Sequence, residues 1–283
     1  MFAGQPSRTL LGPAILRAAH QLFDTPRIFD DPIAVGLVPE ASEEAIRSRT
    51  DEHQTEESVL LRSLFALRSR FAEDRLRDAA GRGVRQYVIV GAGLDTFPWR
   101  QPAHAQGMNI FLADHGTSLD WTRARFRERG LGAPSNLMFV SLDLEQDNVG
   151  ATLAGHGFDR DAAAFFSVLG VTQYLERRSV EALLGCVASL DAGSEIVFTF
   201  VPRDDELEGP DRAFATASAN RTVQLGEPWK TRFGAAELAT ILRRSGFTGI
   251  IHLTPDLARQ IYFTGRQDEL RAPGWEQLIA AVV

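Results

Sequence analysis

The chain has 283 residues, of which 44% are hydrophobic and 24% are charged, so its composition is that of a globular protein with an ordinary core. Its net charge of −7 provides no attractive field for nucleic-acid phosphates or anionic lipid. The single cysteine, Cys186, excludes disulfides within the chain and thiolate zinc sites. No run of about 20 apolar residues and no signal-peptide pattern occurs, so we expect a cytoplasmic protein without nucleic-acid or membrane partners.

The first part of the chain, residues 1–86, contains helical patterns and no convincing strand. Leu60, Leu64, Leu67 and Phe71 recur at the three- and four-residue spacing of one helix face. We therefore predict a helical cap over residues 1–86, packed on the sheet that follows.

From residue 87 onward, short β-rich runs alternate with amphipathic stretches, as they do in βαβ units and mainly parallel sheets. We predict one α/β domain over residues 87–283. Charged and small residues interrupt its periodicity at about 202–229, which indicates an insertion. The seven predicted strands span residues 87–90, 109–113, 137–142, 163–168, 195–201, 249–253 and 261–264.

Apolar spacing also predicts two helices between these strands. One spans residues 180–190, and the other spans Ala235–Ser245 and ends at Gly246, a favoured residue just beyond a helix. The last two predicted strands are separated only by the polar segment 255–260. We therefore predict that they form an antiparallel hairpin at one edge of the sheet.

A glycine-rich turn, Gly91-Ala92-Gly93, follows the first predicted strand. Glycine permits positive φ angles and lets a ligand approach the backbone at the carboxyl end of a strand, although a plain tight turn is the simpler interpretation. A dinucleotide-binding turn would continue to a glycine or alanine where this chain has Thr96, and Asp95 would repel a pyrophosphate. S-adenosylmethionine carries an ammonium and a sulfonium and no phosphate, so the charges favour this cofactor over NAD.

Two further aspartates follow the second and third predicted strands. Asp114 could accept hydrogen bonds from both ribose hydroxyls, as a carboxylate at this position also does in NAD enzymes, and Asp143 could accept one from an adenine amino group. Each aspartate alone is more often a cap or turn residue. Three acidic side chains at successive strand ends nevertheless indicate one ligand site, because doubly wound sheets bind ligands at that edge.

Motifs along nearly the whole chain resemble one known family. They are Arg17-Ala-Ala-His20, Phe29-Asp-Asp-Pro32, Arg68-Ser-Arg70-Phe71, residues 87–96, the strand end at Asp114, Leu142-Asp143-Leu144, residues 165–175 and Gly226-Glu-Pro-Trp229. Together they resemble the leucine carboxyl methyltransferase family. The resemblance is greatest to a bacterial branch of S-adenosylmethionine-dependent methyltransferases that includes the carboxyl methyltransferase of tetracenomycin biosynthesis.

The resemblance implies a class I methyltransferase fold, in which a Rossmann-like seven-stranded sheet carries a helical cap over the site. It also implies that Arg68 holds the carboxylate of the methionine moiety and that Leu144 lies with Asp143 in the cofactor site. Considered alone, Arg68 fits a helix-surface residue covering apolar neighbours. Arg70 could share its role or pair with Asp74 on the surface.

The chain departs from the family pattern after the second strand. The family often has Glu-Val-Asp-x-Pro, where this chain has Leu112-Ala-Asp114-His115-Gly116. Asp114 must therefore recognise the ribose alone. An expected lysine is replaced by Thr122. These differences bear on the substrate class more than on the cofactor.

We expect an S-adenosylmethionine-dependent O-methyltransferase that needs no metal and forms a methyl ester on a carboxylate of a small molecule or peptide. The candidate acceptor contacts are Arg17, His20, Tyr174 and Arg203. Three alternatives stay open: methylation of a hydroxyl or phenol, with His20 or His115 as the base; an NAD-dependent oxidoreductase; and a catalytically silent binding protein with the same fold.

Overall fold

A seven-stranded sheet forms the centre of the computed structural model, which describes residues 10–283; the first nine residues of the predicted cap lie outside this description. The strand order is β3-β2-β1-β4-β5-β7-β6, and every neighbouring pair is parallel except the two that involve β7. The strands are β1 Gln86–Val90, β2 Asn109–Asp114, β3 Leu137–Ser141, β4 Ala164–Val168, β5 Glu195–Phe200, β6 Gly249–Leu253 and β7 Gln277–Val282. This architecture confirms the predicted mainly parallel α/β sheet.

Helices cover both faces of the sheet and also form the region before it. They are α1 Leu11–Phe23, α2 Glu43–Arg47, α3 Thr50–His53, α4 Glu56–Gly81, α5 Phe97–Arg100, α6 Gly116–Glu128, α7 Val149–Ala154, α8 Arg177–Ala188, α9 Gly209–Gln224, α10 Ala235–Ser245 and α11 Pro255–Tyr262. Within residues 10–283, every helix is too short or too polar to span a bilayer.

The alternation of side chains along the strands divides the core into two layers. On β1, Tyr87 and Ile89 pack on the face that α4 covers, whereas Val88 and Val90 pack on the face that α8 and α10 cover. All five residues of β1 are buried, as expected for a central parallel strand with helices on both sides.

The helix predicted at Ala235–Ser245 is confirmed, and Gly246 follows it with a φ of 114°, as its position beyond the helix requires. Helix α8 confirms the predicted helix at residues 180–190, with shifted ends. The segment predicted as an insertion contains α9, and the division into a cap and a sheet domain stays a prediction.

The predicted seventh strand at residues 261–264 is wrong. Residues 255–262 form α11 instead, because the Thr254 hydroxyl caps the helix by accepting a hydrogen bond from the Leu257 N–H and Pro255 is favoured in a first turn. The seventh strand is β7, which enters the sheet between β5 and β6 and is antiparallel to both. An antiparallel C-terminal pair therefore exists, but a helix and a loop separate its strands.

Candidate functional site

A cavity of about 440 Å³ opens at the carboxyl ends of the central strands. Val90, Ala113, Leu142 and Leu169, which lie at or just beyond the ends of four parallel strands, contribute to its wall. The order of the strands reverses between β1 and β4, and open α/β sheets bind ligands at such a position. Helices α1 and α4 and a segment before α10, residues 226–230, complete the cavity. We call this segment the strap.

The glycine turn lines the cavity in a conformation that favours glycine. Gly91 has a φ of 64° and Gly93 a φ of 51°. A Cβ atom on Gly91 would overlap the Cγ2 atom of Val171, and one on Gly93 would lie 2.9 Å from the Cδ2 atom of Leu10. The turn is therefore a close-packed backbone surface at the strand end.

Asp114 supports this turn and also lines the cavity. Its Oδ2 atom accepts a hydrogen bond from the Gly93 N–H at 2.9 Å, and its Oδ1 atom accepts one from the His115 N–H at 2.7 Å. Burial raises the pKa of Asp114, and these two hydrogen bonds offset part of the rise. Because a carboxylate oxygen has two lone pairs, each oxygen can still accept a ligand hydroxyl. Thr122, at the position where a lysine was expected, donates to the Gly93 carbonyl at 2.8 Å.

Asp143 and Leu144 lie at the next strand end and line the same cavity. The Oδ1 atom of Asp143 accepts a hydrogen bond from the Glu145 N–H at 2.9 Å, which orients the carboxylate within its loop. The structure thus brings together the two glycines and two of the three aspartates that the sequence pattern indicated.

Asp95, the third aspartate, does not line this cavity. Its Oδ1 atom accepts a hydrogen bond from the Phe97 N–H at 2.8 Å, at the start of α5, and the side chain borders a much smaller second cavity with Arg17, Glu73 and Arg100. Asp95 therefore acts as a turn residue behind the glycines.

Two guanidinium groups reach the main cavity, Arg17 from α1 and Arg68 from α4. Arg17 donates to the Leu94 carbonyl, and its Nε atom lies 3.5 Å from Asp31. The Arg68 guanidinium carbon lies 4.5 Å from the centre of the Phe65 ring. Burial and the nearby Arg17 lower the pKa of Arg68, whereas Glu276 raises it.

Arg70 does not share the position of Arg68. It is 43% exposed and pairs with Asp74 at 2.8 Å, which is the surface ion pair left open by the sequence.

Of the four predicted acceptor contacts, Arg17 and Tyr174 line the cavity. Burial raises the pKa of Tyr174 to about 12, so its hydroxyl stays protonated at neutral pH.

His20 and Arg203 do not line the cavity. His20 is buried, with Nδ1 2.7 Å from Asp24 and Nε2 accepting from the Ile28 and Phe29 N–H groups, so both ring nitrogens already have partners. Arg203 is 47% exposed and pairs with Asp205 and Glu206, which hold it on the surface.

Several residues at or behind this cavity were not predicted as site residues, although the strap overlaps the family-like motif Gly226-Glu-Pro-Trp229 and Gly170 lies in the motif at residues 165–175. The strap is held beside the cavity by a hydrogen bond in which the Lys230 N–H donates to the Gln173 carbonyl at 2.7 Å. Gly170 packs against the Arg68 guanidinium, and the Glu276 carboxylate lies 3.7 Å from the Nη1 atom of Arg68. Glu276 directly precedes β7. Because β7 is antiparallel to the other strands of the sheet, it begins at the edge where the parallel strands end and the cavity lies. A correct prediction of β7 would therefore have indicated Glu276 as a site residue.

Comparison with known proteins identifies this arrangement with one family. The sequence model described as leucine carboxyl methyltransferase matches residues 10–188. A Bacillus subtilis (strain 168) protein named "Putative S-adenosyl-L-methionine-dependent methyltransferase YktD" is 30% identical over an alignment of 300 positions that includes 96% of each chain. A Mycobacterium avium (strain 104) protein described as "Putative S-adenosyl-L-methionine-dependent methyltransferase" is 30% identical over 72% of this chain and 67% of its own.

Solved structures share the fold at much lower sequence identity. A "putative methyltransferase" from Thermobifida fusca superposes with a TM-score of 0.60 and 16% identity, covering 99% of this chain and 96% of the other. A DUF574 family protein from Streptomyces avermitilis has a TM-score of 0.54 and 14% identity, covering 94% and 96%. These likenesses confirm the predicted methyltransferase fold.

Proposed function

Because the chain belongs to the leucine carboxyl methyltransferase family, we propose that it methylates a carboxylate oxygen of a small molecule or peptide and so forms a methyl ester. Family membership makes the protein an S-adenosylmethionine-dependent methyltransferase. This agrees with the cofactor predicted from the glycine turn and contradicts the NAD-dependent alternative.

The residues around the cavity fit the cofactor. Gly91 and Gly93 line the cavity, where the methionine portion would lie against their backbone, and Asp114 retains lone pairs for ribose hydroxyls. Asp143 would accept from the adenine amino group, and Arg68 would bind the carboxylate through charge-assisted hydrogen bonds. When bound, the cofactor supplies a methyl group already activated on a sulfonium, so the protein's task is to orient an acceptor.

The observation that carries the proposal is the presence of two guanidinium groups on one cavity. S-adenosylmethionine has a single carboxylate, and Arg68 is assigned to it. Arg17 then remains to hold a second carboxylate, that of the acceptor. The protonated hydroxyl of Tyr174 can donate to the same group.

A carboxylate acceptor also requires no general base in the site. A carboxyl group with a pKa near ~4 is ionised at neutral pH and needs no general base. A cation and a hydroxyl donor are enough to direct one of its oxygens toward the methyl group.

The proposal is tested with radiolabelled S-adenosylmethionine and a panel of carboxylic acids and phenols. We expect labelled product from acids, and brief alkali treatment should release the label as methanol. A label that survives alkali would indicate an ether and contradict the ester. An absence of turnover with every acceptor, together with tight cofactor binding, would favour the silent binding protein.

A second candidate is the methylation of a hydroxyl or phenol, which His115 supports because this residue lines the cavity. A phenol with a pKa near ~10 needs a base, and a histidine titrates in the appropriate range. The rate would then rise with pH through the pKa of that base, whereas carboxylate methylation should stay nearly flat from about pH 6 to 8. A His115→Gln variant that retains full activity would exclude this candidate.

A further inference from the structure

A buried carboxylate, Glu276, lies behind the guanidinium of Arg68. Its side chain is 3% exposed, and its Oε1 atom lies 3.7 Å from the Nη1 atom of Arg68. Within residues 10–283, Arg68 is the only cation within 4.0 Å of this carboxylate, and the Oε1 atom is buried without a hydrogen-bond partner. A buried carboxylate oxygen without a hydrogen-bond partner requires an explanation.

The antiparallel direction of β7 brings Glu276 to the ligand edge of the sheet. Gln277, the first residue of β7, pairs with Phe200, the last residue of β5. The residue before β7 therefore lies at the end of the sheet where the parallel strands present their carboxyl ends. In β6, which runs parallel to β5, it is the residues after the strand that lie at this edge.

The Arg68 guanidinium is confined between Glu276 and Gly170. A Cβ atom on Gly170 would lie 2.6 Å from Nη1 of Arg68, so only glycine leaves room for the guanidinium there. The Gly170 N–H donates to the Thr199 hydroxyl at 2.7 Å, which ties this backbone to β5. The position of the guanidinium is thus set mainly by packing.

The contact between Glu276 and Arg68 is a charge interaction, because 3.7 Å exceeds hydrogen-bond distance. Within residues 10–283, Glu276 is the only acidic residue within 4.0 Å of the Arg68 guanidinium, and Arg68 also lines the main cavity, where a ligand can reach it. The other guanidinium of the cavity, Arg17, has its own acidic neighbour, Asp31, at 3.5 Å. Glu276 is therefore the neighbouring charge that offsets Arg68 when no ligand is bound.

We propose that Glu276 is the counter-ion of Arg68 in the ligand-free site and that it competes electrostatically with the cofactor carboxylate for this guanidinium. This inference rests on the proposed placement of that carboxylate on Arg68. Glu276 then stabilises the ligand-free protein and lowers the affinity of the site for any ligand that carries the carboxylate. The product, S-adenosylhomocysteine, keeps the carboxylate, so weaker binding also favours its release.

The test is calorimetric binding of S-adenosylmethionine and of decarboxylated S-adenosylmethionine to wild type and Glu276→Gln. Burial raises the pKa of Glu276, so the measurement is made at pH 8, where the carboxyl group is more fully ionised. We expect Glu276→Gln to bind S-adenosylmethionine roughly tenfold more tightly, because a negative charge near the ligand carboxylate has been removed. The affinity for the decarboxylated ligand should not change.

The matched control is Glu195→Gln, which removes a buried carboxylate at the opposite edge of the sheet. Glu195 is fully buried and pairs with Arg75 at 2.5 Å and with Arg82 at 2.6 Å. Both glutamine variants should melt several degrees below wild type without ligand, because each leaves arginine charge without its partner. Only Glu276→Gln should change the affinity ratio of the two ligands.

Unchanged or weaker binding of S-adenosylmethionine by Glu276→Gln would overturn the inference. Glu276→Asp keeps the charge and should retain most of the wild-type ratio; a shift as large as that of the glutamine variant would also count against it. If Glu276→Gln does not fold without ligand, rescue by S-adenosylmethionine but not by the decarboxylated ligand would support the inference, and any other pattern would contradict it. Equal affinity of the wild type for both ligands would instead refute the placement of the carboxylate on Arg68.

Discussion

The two sides of the cavity are built in different ways. On one side, which we propose binds the cofactor, the glycine turn, Asp114 and Asp143 each lie at or within two residues of the carboxyl end of a parallel strand. On the other side, proposed for the acceptor, α1 and the strap line the same cavity although about 200 residues separate them in the sequence. A short motif can therefore specify the first side, whereas only the folded chain assembles the second.

The two sides also differ in what holds them in place. The cofactor side is tied to the sheet, since the Gly91 N–H donates to the Ala113 carbonyl at 2.9 Å and the Gly93 N–H donates to Asp114 at 2.9 Å. The acceptor side is held by side-chain packing of α1 and by backbone contacts of the strap with Gln173. We expect changes on the first side to affect cofactor binding and changes on the second to affect the acceptor, in the following order of size.

The largest effect is expected for Gly91→Ala. Alanine at this position would have to adopt a positive φ, and its Cβ atom would overlap Val171. Together these two effects should lower the free energy of unfolding by about 2–4 kcal/mol. Thermal unfolding with and without S-adenosylmethionine measures this loss. Gly157→Ala is the control, because Gly157 also has a positive φ, 87°, but open space around it. Equal losses in the two variants would show that close packing at the turn is unimportant.

A slightly smaller effect is expected for Asp114→Ala. The change removes the proposed acceptors of two ribose hydroxyls and the partner of the Gly93 N–H, so the affinity for S-adenosylmethionine should fall roughly tenfold to a hundredfold. Calorimetry gives the affinity directly. Binding as tight as in the wild type would mean that the ribose lies elsewhere.

Arg68→Lys should weaken cofactor binding by roughly tenfold, because an ammonium lacks the planar pair of donors that matches a carboxylate. The same change at Arg70, which pairs with Asp74 on the surface, is the control and should have almost no effect. If the ligand-free Arg68→Lys protein melts far below wild type and its cofactor affinity is unchanged, Arg68 has a structural role.

The smallest effect on the cofactor, and the sharpest contrast between the two sides, is expected for Tyr174→Phe. Loss of one hydroxyl donor should lower kcat/KM for the acceptor about twofold to tenfold. The affinity for S-adenosylmethionine should stay within about twofold of the wild type. A variant that loses cofactor affinity and leaves acceptor kinetics intact would place Tyr174 on the cofactor side.

Much of the fold follows from local patterns that are visible in the sequence. The first six strands lie within two residues of their predicted ends, because buried parallel strands form short apolar runs between turn residues. Helix α10 and Gly246 follow from apolar spacing and from glycine's tolerance of positive φ. Asp114 and Asp143 reach the cavity because the carboxyl ends of parallel strands lie at the same edge of the sheet.

The direction in which a side chain points and the neighbour with which a strand pairs depend on contacts between residues that are distant in sequence. Only the tertiary structure determines them. Asp95 belongs to the same turn as Gly93 but points behind it, and His20 lies one turn of α1 from Arg17 but faces the core. The seventh strand follows α11 and a loop, and its antiparallel direction alone delivers Glu276 to Arg68. The sequence by itself therefore determined the sheet and the strand-end residues of the cavity, because these depend on local periodicity and turn chemistry. The acceptor side and the environment of Arg68 were decided by the tertiary structure, because packing brings together residues that no local pattern connects.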